Sequence, residues 1–137
     1  VNQSLRGHRE VEHTADWELE VWAEDLGQLL AEAARGMYEL MEVEVSDSDR
    51  RPVRLELEAG DAEQLLVTFL NELLHLLDFE SVAFDGFLLR VEDGRLDARL
   101  EGGTVTARGK EIKAVTFHRL TVRDTGSGFE TRIVFDV

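Results

Sequence analysis

The sequence predicts an α+β fold: a single domain over residues 1–137, with a mostly antiparallel β-sheet covered on one face by two α-helices. Three observations carry that prediction. Two stretches, Leu26 to Met41 and Leu65 to Leu77, repeat apolar residues at helical spacing. Strand-like alternation of apolar and polar residues precedes and follows them, and from Val82 it continues to the C-terminus. Asp93-Gly94 divides that last run as a two-residue hairpin turn, which sets the flanking strands antiparallel.

Each element has its own signal. Leu5 to Glu12 gains strand character towards its end. After His13-Thr14-Ala15-Asp16, the residues Trp17, Leu19, Val21 and Ala23 alternate with Glu18, Glu20, Trp22 and Glu24, a half-buried strand with one mostly acidic face. Asp25 caps the first helix with Gln28 as its reciprocal partner. Leu26, Leu29, Leu30, Ala33, Met37, Leu40 and Met41 form the buried stripe of that helix. Ser46 to Arg51 reads as a polar loop, and Pro52, the only proline, opens a strand whose apolar face is Val53, Leu55 and Leu57. Asp61 caps the second helix, whose wide leucine stripe marks it as the main cover of the sheet. Asn71 and His75 share a face of it and read as a satisfied boundary pair.

Beyond the hairpin strands around Asp93-Gly94, Gly102-Gly103 to Gly109 reads as a loosely specified connection. Glu111-Ile112-Lys113-Ala114-Val115-Thr116-Phe117-His118 follows as a strand well inside a sheet, running on through Leu120 and Val122. Asp124 to Gly128 turns the chain, and Phe129, Thr131, Ile133 and Phe135 alternate to the end.

Composition bounds the function. Hydrophobic content of 43% and charged content of 32% are those of a soluble globular protein. No apolar run approaches membrane-spanning length and no signal-peptide pattern opens the chain, so a cytoplasmic protein without a membrane partner is expected. The absence of cysteine excludes disulfides and thiol catalysis. A net charge of −14 repels phosphate backbones, which disfavours tight direct RNA binding and favours a basic partner protein or a divalent cation. Excess carboxylate also serves solubility alone.

Few residues offer chemistry. The glycine pairs lack the strand–glycine–helix context of a phosphate loop, no motif proposes a serine nucleophile, and four scattered histidines do not make a structural zinc site. What remains is oxygen chemistry. Asp16 stands at a strand junction beside His13, and Asp136 stands between Phe135 and Val137 in an apolar strand end. A buried carboxylate needs a compensating cation or donors, and Ca²⁺ or Mg²⁺ takes such ligands.

Lys110 and Lys113 are the only lysines in an arginine-rich chain. Lys113 reads either as a solvated strand end or as a functional cation. A hairpin centred near residue 126 sets Asp136 across from residues 115–117. Thr116 and His118 share its face in one register, and Lys113, Val115 and Phe117 in the register slipped by one. The sequence leaves both registers open. In either, the basic stretch and the awkward carboxylate converge, which favours the functional reading of Lys113.

His13-Thr14-Ala15-Asp16, Leu70-Asn71-Glu72-Leu73-Leu74, Glu111 to His118 and the ending Val134-Phe135-Asp136-Val137, in this order, resemble the archease family over nearly the whole chain. The resemblance implies a small acidic protein cofactor, not an enzyme. Its partner would be an RtcB-type RNA-splicing ligase, whose guanylylation and multiple turnover it promotes in tRNA splicing and RNA repair. It further implies a divalent-cation site, Ca²⁺ or Mg²⁺, with Asp16 and Asp136 as ligands and Lys113 as the residue that activates the ligase. His13, His118 and Val137 are further candidates. Trp17 and Glu18 depart from the small or aliphatic residues usual after the aspartate, and the connection before the lysine strand is shorter than usual.

Two other classes remain. A metal-dependent hydrolase using the same aspartates requires a general base and a substrate pocket, neither of which the sequence marks clearly. An acidic chaperone or interaction module would act by charge and lose its effect as salt rises.

Overall fold

Residues 5–11 and 17–137 are described by a computed structural model of the chain. Their elements are β1 (Gly7–Val11), β2 (Trp17–Ala23), α1 (Leu26–Leu40), β3 (Glu44–Glu58), α2 (Ala62–Glu80), β4 (Val82–Glu92), β5 (Arg95–Ala107), β6 (Ala114–Val115), β7 (Arg123–Asp124) and β8 (Phe129–Asp136). The α+β class and the antiparallel pairing are as the sequence predicts. The strands, however, divide between two sheets. One has the order β1-β2-β8-β6, with β7 also on β8; the other has the order β3-β5-β4.

Both helices begin where the sequence places them. Asp25 and Asp61 have extended backbones, and their carboxylates accept the N–H of Gln28 and Gln64, each at 2.8 Å. The Gln64 side chain in turn accepts the Gly60 N–H at 3.1 Å, so the second helix opens with a capping box displaced by one residue. In α2 the predicted stripe of Leu65, Leu66, Phe69, Leu70, Leu73, Leu74 and Leu77 is fully buried. Burial of this kind contributes roughly 2 kcal/mol per large side chain relative to exposure.

Helix α1 is more enclosed than an amphipathic stripe implies. It packs on β1 and β2 of one sheet and on β4 of the other, which buries Ala31, Glu32, Ala34 and Gly36 as well as Leu29 and Leu30. Small residues on its second face permit that approach: a Cβ at Gly27 would overlap the Leu89 carbonyl oxygen.

Three expectations are corrected. Residues 46–51 are not a loop before a strand that Pro52 opens, because β3 runs through them as an edge strand. Its pairing with β5 breaks between Val45 and Arg50 and then resumes in regular register through Glu58. Gly102-Gly103 is not a loose connection. Both glycines are buried inside β5, and a Cβ on Gly102 would collide with the Ala83 carbonyl. A glycine pair here marks backbones in close approach. Third, the lysine stretch is not a long interior strand: only Ala114 and Val115 join the sheet, at its edge.

Candidate functional site at the open end of the first sheet

β6 is short, and its two sides find different partners. Ala114 and Val115 pair with Asp136 and Phe135. Among the described residues no strand pairs with its outer side, and α2 closes the edge. The Val115 N–H donates to Asn71 Oδ1 at 3.0 Å, and Asn71 Nδ2 donates to the Val115 carbonyl at 3.4 Å. One amide side chain thus satisfies both groups of an edge residue, standing in for a strand. After Thr116 the chain leaves the sheet in a turn at His118-Arg119, where Arg119 has φ 55. It is caught again where Glu63, in the first turn of α2, accepts the Val122 N–H at 2.7 Å.

That excursion sets the register. β7 pairs Arg123 with Glu130, whereas β6 pairs Val115 with Phe135, so the turn absorbs residues that a straight hairpin would not contain. Asp136 consequently faces Ala114 rather than residues 115–117. By alternation it shares a face with Thr116, the side taken by the first of the two registers.

The two residues that the basic stretch and the C-terminal strand contribute do meet. The Lys113 N–H donates to the Asp136 carbonyl at 2.7 Å. Ile112 and Val115 are buried in the core, and between these anchors Lys113 is exposed. Asp136 is exposed as well, so its carboxylate bears no burial penalty of the kind expected from its apolar neighbours. Val137 and Phe117 are also exposed, at 39% and 56%. His118 is exposed on the turn, its N–H donating to Thr116 Oγ1 at 3.2 Å. His13 and Asp16 lie outside the described residues. Among the described residues, no three His, Asp or Glu side chains gather as a metal site.

The start of β2 lies at this same end of the sheet, because Trp17 pairs with Phe135, the neighbour of Asp136. Lys110 packs there: its ammonium stands 5.1 Å from the centre of the Trp17 ring and 3.8 Å from Glu42. The other lysine is therefore tied to Trp17 at the start of β2.

Two contributions escaped the sequence reading. The spacing pairs Asn71 with His75, yet the partner of Asn71 is the backbone of Val115, while the His75 ring packs tilted by 37° against Phe79 at 4.6 Å. His8 bridges β1 to α1 through Glu32 at 3.1 Å and Glu39 at 2.6 Å. Two glutamates seven residues apart on one helix face were its only trace in the sequence.

This arrangement can be set beside known proteins. The sequence model of the Archease protein family (MTH1598/TM1083) matches residues 8–137. The chain belongs to the archease family. Archease from Archaeoglobus fulgidus is 33% identical over 135 residues, covering 95% of this chain and 98% of that protein. Archease from Thermococcus gammatolerans is 32% identical, covering 90% and 93%. Protein 1598 of Methanobacterium thermoautotrophicum, solved in solution, superposes with a TM-score of 0.71 at 28% identity, covering 96% of this chain and 99% of that one. The crystal structure of a Thermotoga maritima archease, described as a possible chaperone, superposes with a TM-score of 0.72 at 22% identity, covering 94% and 96%, and shows the archease fold alone.

Proposed function

We propose that this archease is a cytoplasmic protein cofactor, without catalytic activity of its own, that activates an RtcB-type RNA-splicing ligase in tRNA splicing and RNA repair. The observation that carries the reading is the junction of Lys113 and Asp136. An exposed ammonium is held between two buried anchors, and its backbone is hydrogen-bonded to the strand end that carries the carboxylate. Asp136 and Asp16 would supply carboxylate oxygens to Ca²⁺ or Mg²⁺, hard cations that accept carboxylate and carbonyl oxygen together. His13 and Val137 would flank that cation, and His118 would lie at the rim of the surface presented to the ligase. A lysine suits the contact with a nucleotide or an anionic site because its charge is compact and its stem flexible. The net charge of −14 supports a role that leaves RNA to the ligase.

The test is a guanylylation time course with a purified RtcB-type ligase, GTP and a divalent cation. Wild-type protein is expected to speed formation of the covalent ligase–GMP and to raise turnover. Lys113→Ala is expected to keep its circular dichroism spectrum and lose most of the stimulation, with Lys113→Arg recovering part of it. Full stimulation by Lys113→Ala would return Lys113 to a solvated strand end.

A second reading, an acidic chaperone acting by charge, draws on the same net charge and on the description of the Thermotoga relative as a possible chaperone. Salt separates the two. An effect of charge alone fades with ionic strength for any acidic variant, whereas the first reading depends on Lys113 at every salt concentration tested.

A further inference from the structure

The second sheet is open along β3. Among the described residues β3 pairs only with β5, and from Pro52 to Glu58 that ladder is regular. The direction of its backbone groups can be read. Ala59 continues the ladder and donates its N–H to the Gly94 carbonyl at 2.9 Å, so odd-numbered residues bond inwards. The N–H and C=O of Arg54, Glu56 and Glu58 therefore point outwards. Pro52 has the same parity, and a proline is tolerated in an edge strand where its missing N–H faces away from the ladder.

We propose that this edge pairs with the same edge of a second copy of the chain, antiparallel about a two-fold axis through Leu55. That centre sets Arg54 of each copy opposite Glu56 of the other, Val53 opposite Leu57, and Leu55 opposite its own counterpart. Opposite charges and apolar pairs directly across a ladder both stabilise it, and like charges there destabilise it. The register is specified by that contrast. Moving the centre one residue back sets Arg54 against Arg54, and one residue forward sets Glu56 against Glu56. The parity also fits, since Arg54 and Glu56 are the residues whose backbone groups face outwards and can exchange both N–H···O=C bonds.

The side chains are poised for the exchange. Within one chain Arg54 donates to Asp97 at 3.1 and 3.2 Å and pairs with Glu56 at 2.8 Å, with the Arg54 and Glu56 side chains 56% and 69% exposed, so Glu56 of a second copy joins an exposed charge cluster with little desolvation. Val53, Leu55 and Leu57 are only half-buried at the margin of the core. A second copy covers them and joins the two sheets into one, in the order β4-β5-β3-β3-β5-β4. Free edges are commonly guarded by bulges and prolines. Here the irregularity between Val45 and Arg50 and Pro52 itself guard the first half of β3 and leave residues 53–58 open.

Sedimentation velocity over a concentration series tests the proposal; an edge this short makes a small interface, so the series must extend to high concentration. The mass of the wild type is expected to rise from monomer towards dimer. Arg54→Glu and Glu56→Arg, each placing like charges across the axis, are expected to remain monomeric. Their equimolar mixture is expected to recover the dimer, because each mismatched position then meets its opposite charge. Both positions are exposed, and circular dichroism confirms the fold of each variant. A wild type that stays monomeric throughout, single variants that dimerise as the wild type does, or a mixture that fails to recover the dimer would each overturn it.

Discussion

At the scale of single residues, the display of Lys113 depends on a neighbour that never touches its ammonium. Asn71 holds both polar groups of the Val115 backbone, and that bond pair fixes β6 against α2 two residues from Lys113. Asn71→Ala leaves a partly buried N–H and C=O without their protein partner. The expected loss is about 1–3 kcal/mol in denaturant unfolding. Stimulation of ligase guanylylation should fall as well, although Lys113 is intact. Asn71→Asp keeps the acceptor for the N–H but faces the carbonyl with a carboxylate, so its stability should fall between the two. An Asn71→Ala variant with unchanged stability and stimulation would show that β6 holds its place without the amide.

At the scale of elements, α2 does more than cover a sheet. Its stripe fills the core, its middle closes β6, and Glu63 in its first turn holds Val122. Anything that frays the start of α2 therefore loosens the turn that sets the register of Asp136. Asp61→Ala removes the cap and is expected to cost about 1 kcal/mol. Gln64→Ala removes only the reciprocal bond to Gly60 and should cost less. Thermal unfolding of the two variants measures the difference, and equal midpoints for Asp61→Ala and wild type would mean that packing alone fixes the start of α2. The cap was legible in the sequence because capping is local. The use made of Glu63 was not, because Val122 lies 59 residues away.

At the scale of the whole molecule, the last strand joins the two ends of the chain: β8 pairs with β2 on one side and with β6 on the other. A cation held between carboxylates of the two ends would bind the folded chain only and stabilise it by linkage. Addition of Ca²⁺ is expected to stabilise the fold by about 2.7 kcal/mol where the ion is at a hundred times its dissociation constant, read as a higher unfolding midpoint that chelator reverses. Asp16→Ala and Asp136→Ala should each abolish the rise. Equal midpoints in Ca²⁺ and in chelator for the wild type would remove the cation from the proposal and leave Lys113 to be judged by guanylylation alone.

The sequence by itself determined the α+β class, both helices with their aspartate caps, the Asp93-Gly94 turn, where Asp93 and Gly94 both have positive φ, and the buried faces of β2 and β8. These features follow from local propensity and from periods of 2 and 3.6 residues, which any short window of sequence displays. The tertiary structure decided the rest. It divided the strands into two sheets, extended β3 through a polar stretch, buried Gly102-Gly103 where two backbones touch, and reduced the lysine strand to Ala114 and Val115 at an edge. It also chose between the two registers open to Asp136. Each of these outcomes depends on a partner distant in sequence, whether Asn71 for Val115, Ala83 for Gly102 or Gly103 for Arg50. A backbone hydrogen bond carries no side-chain signature of the partner it will find, so such pairings are written only in the folded chain.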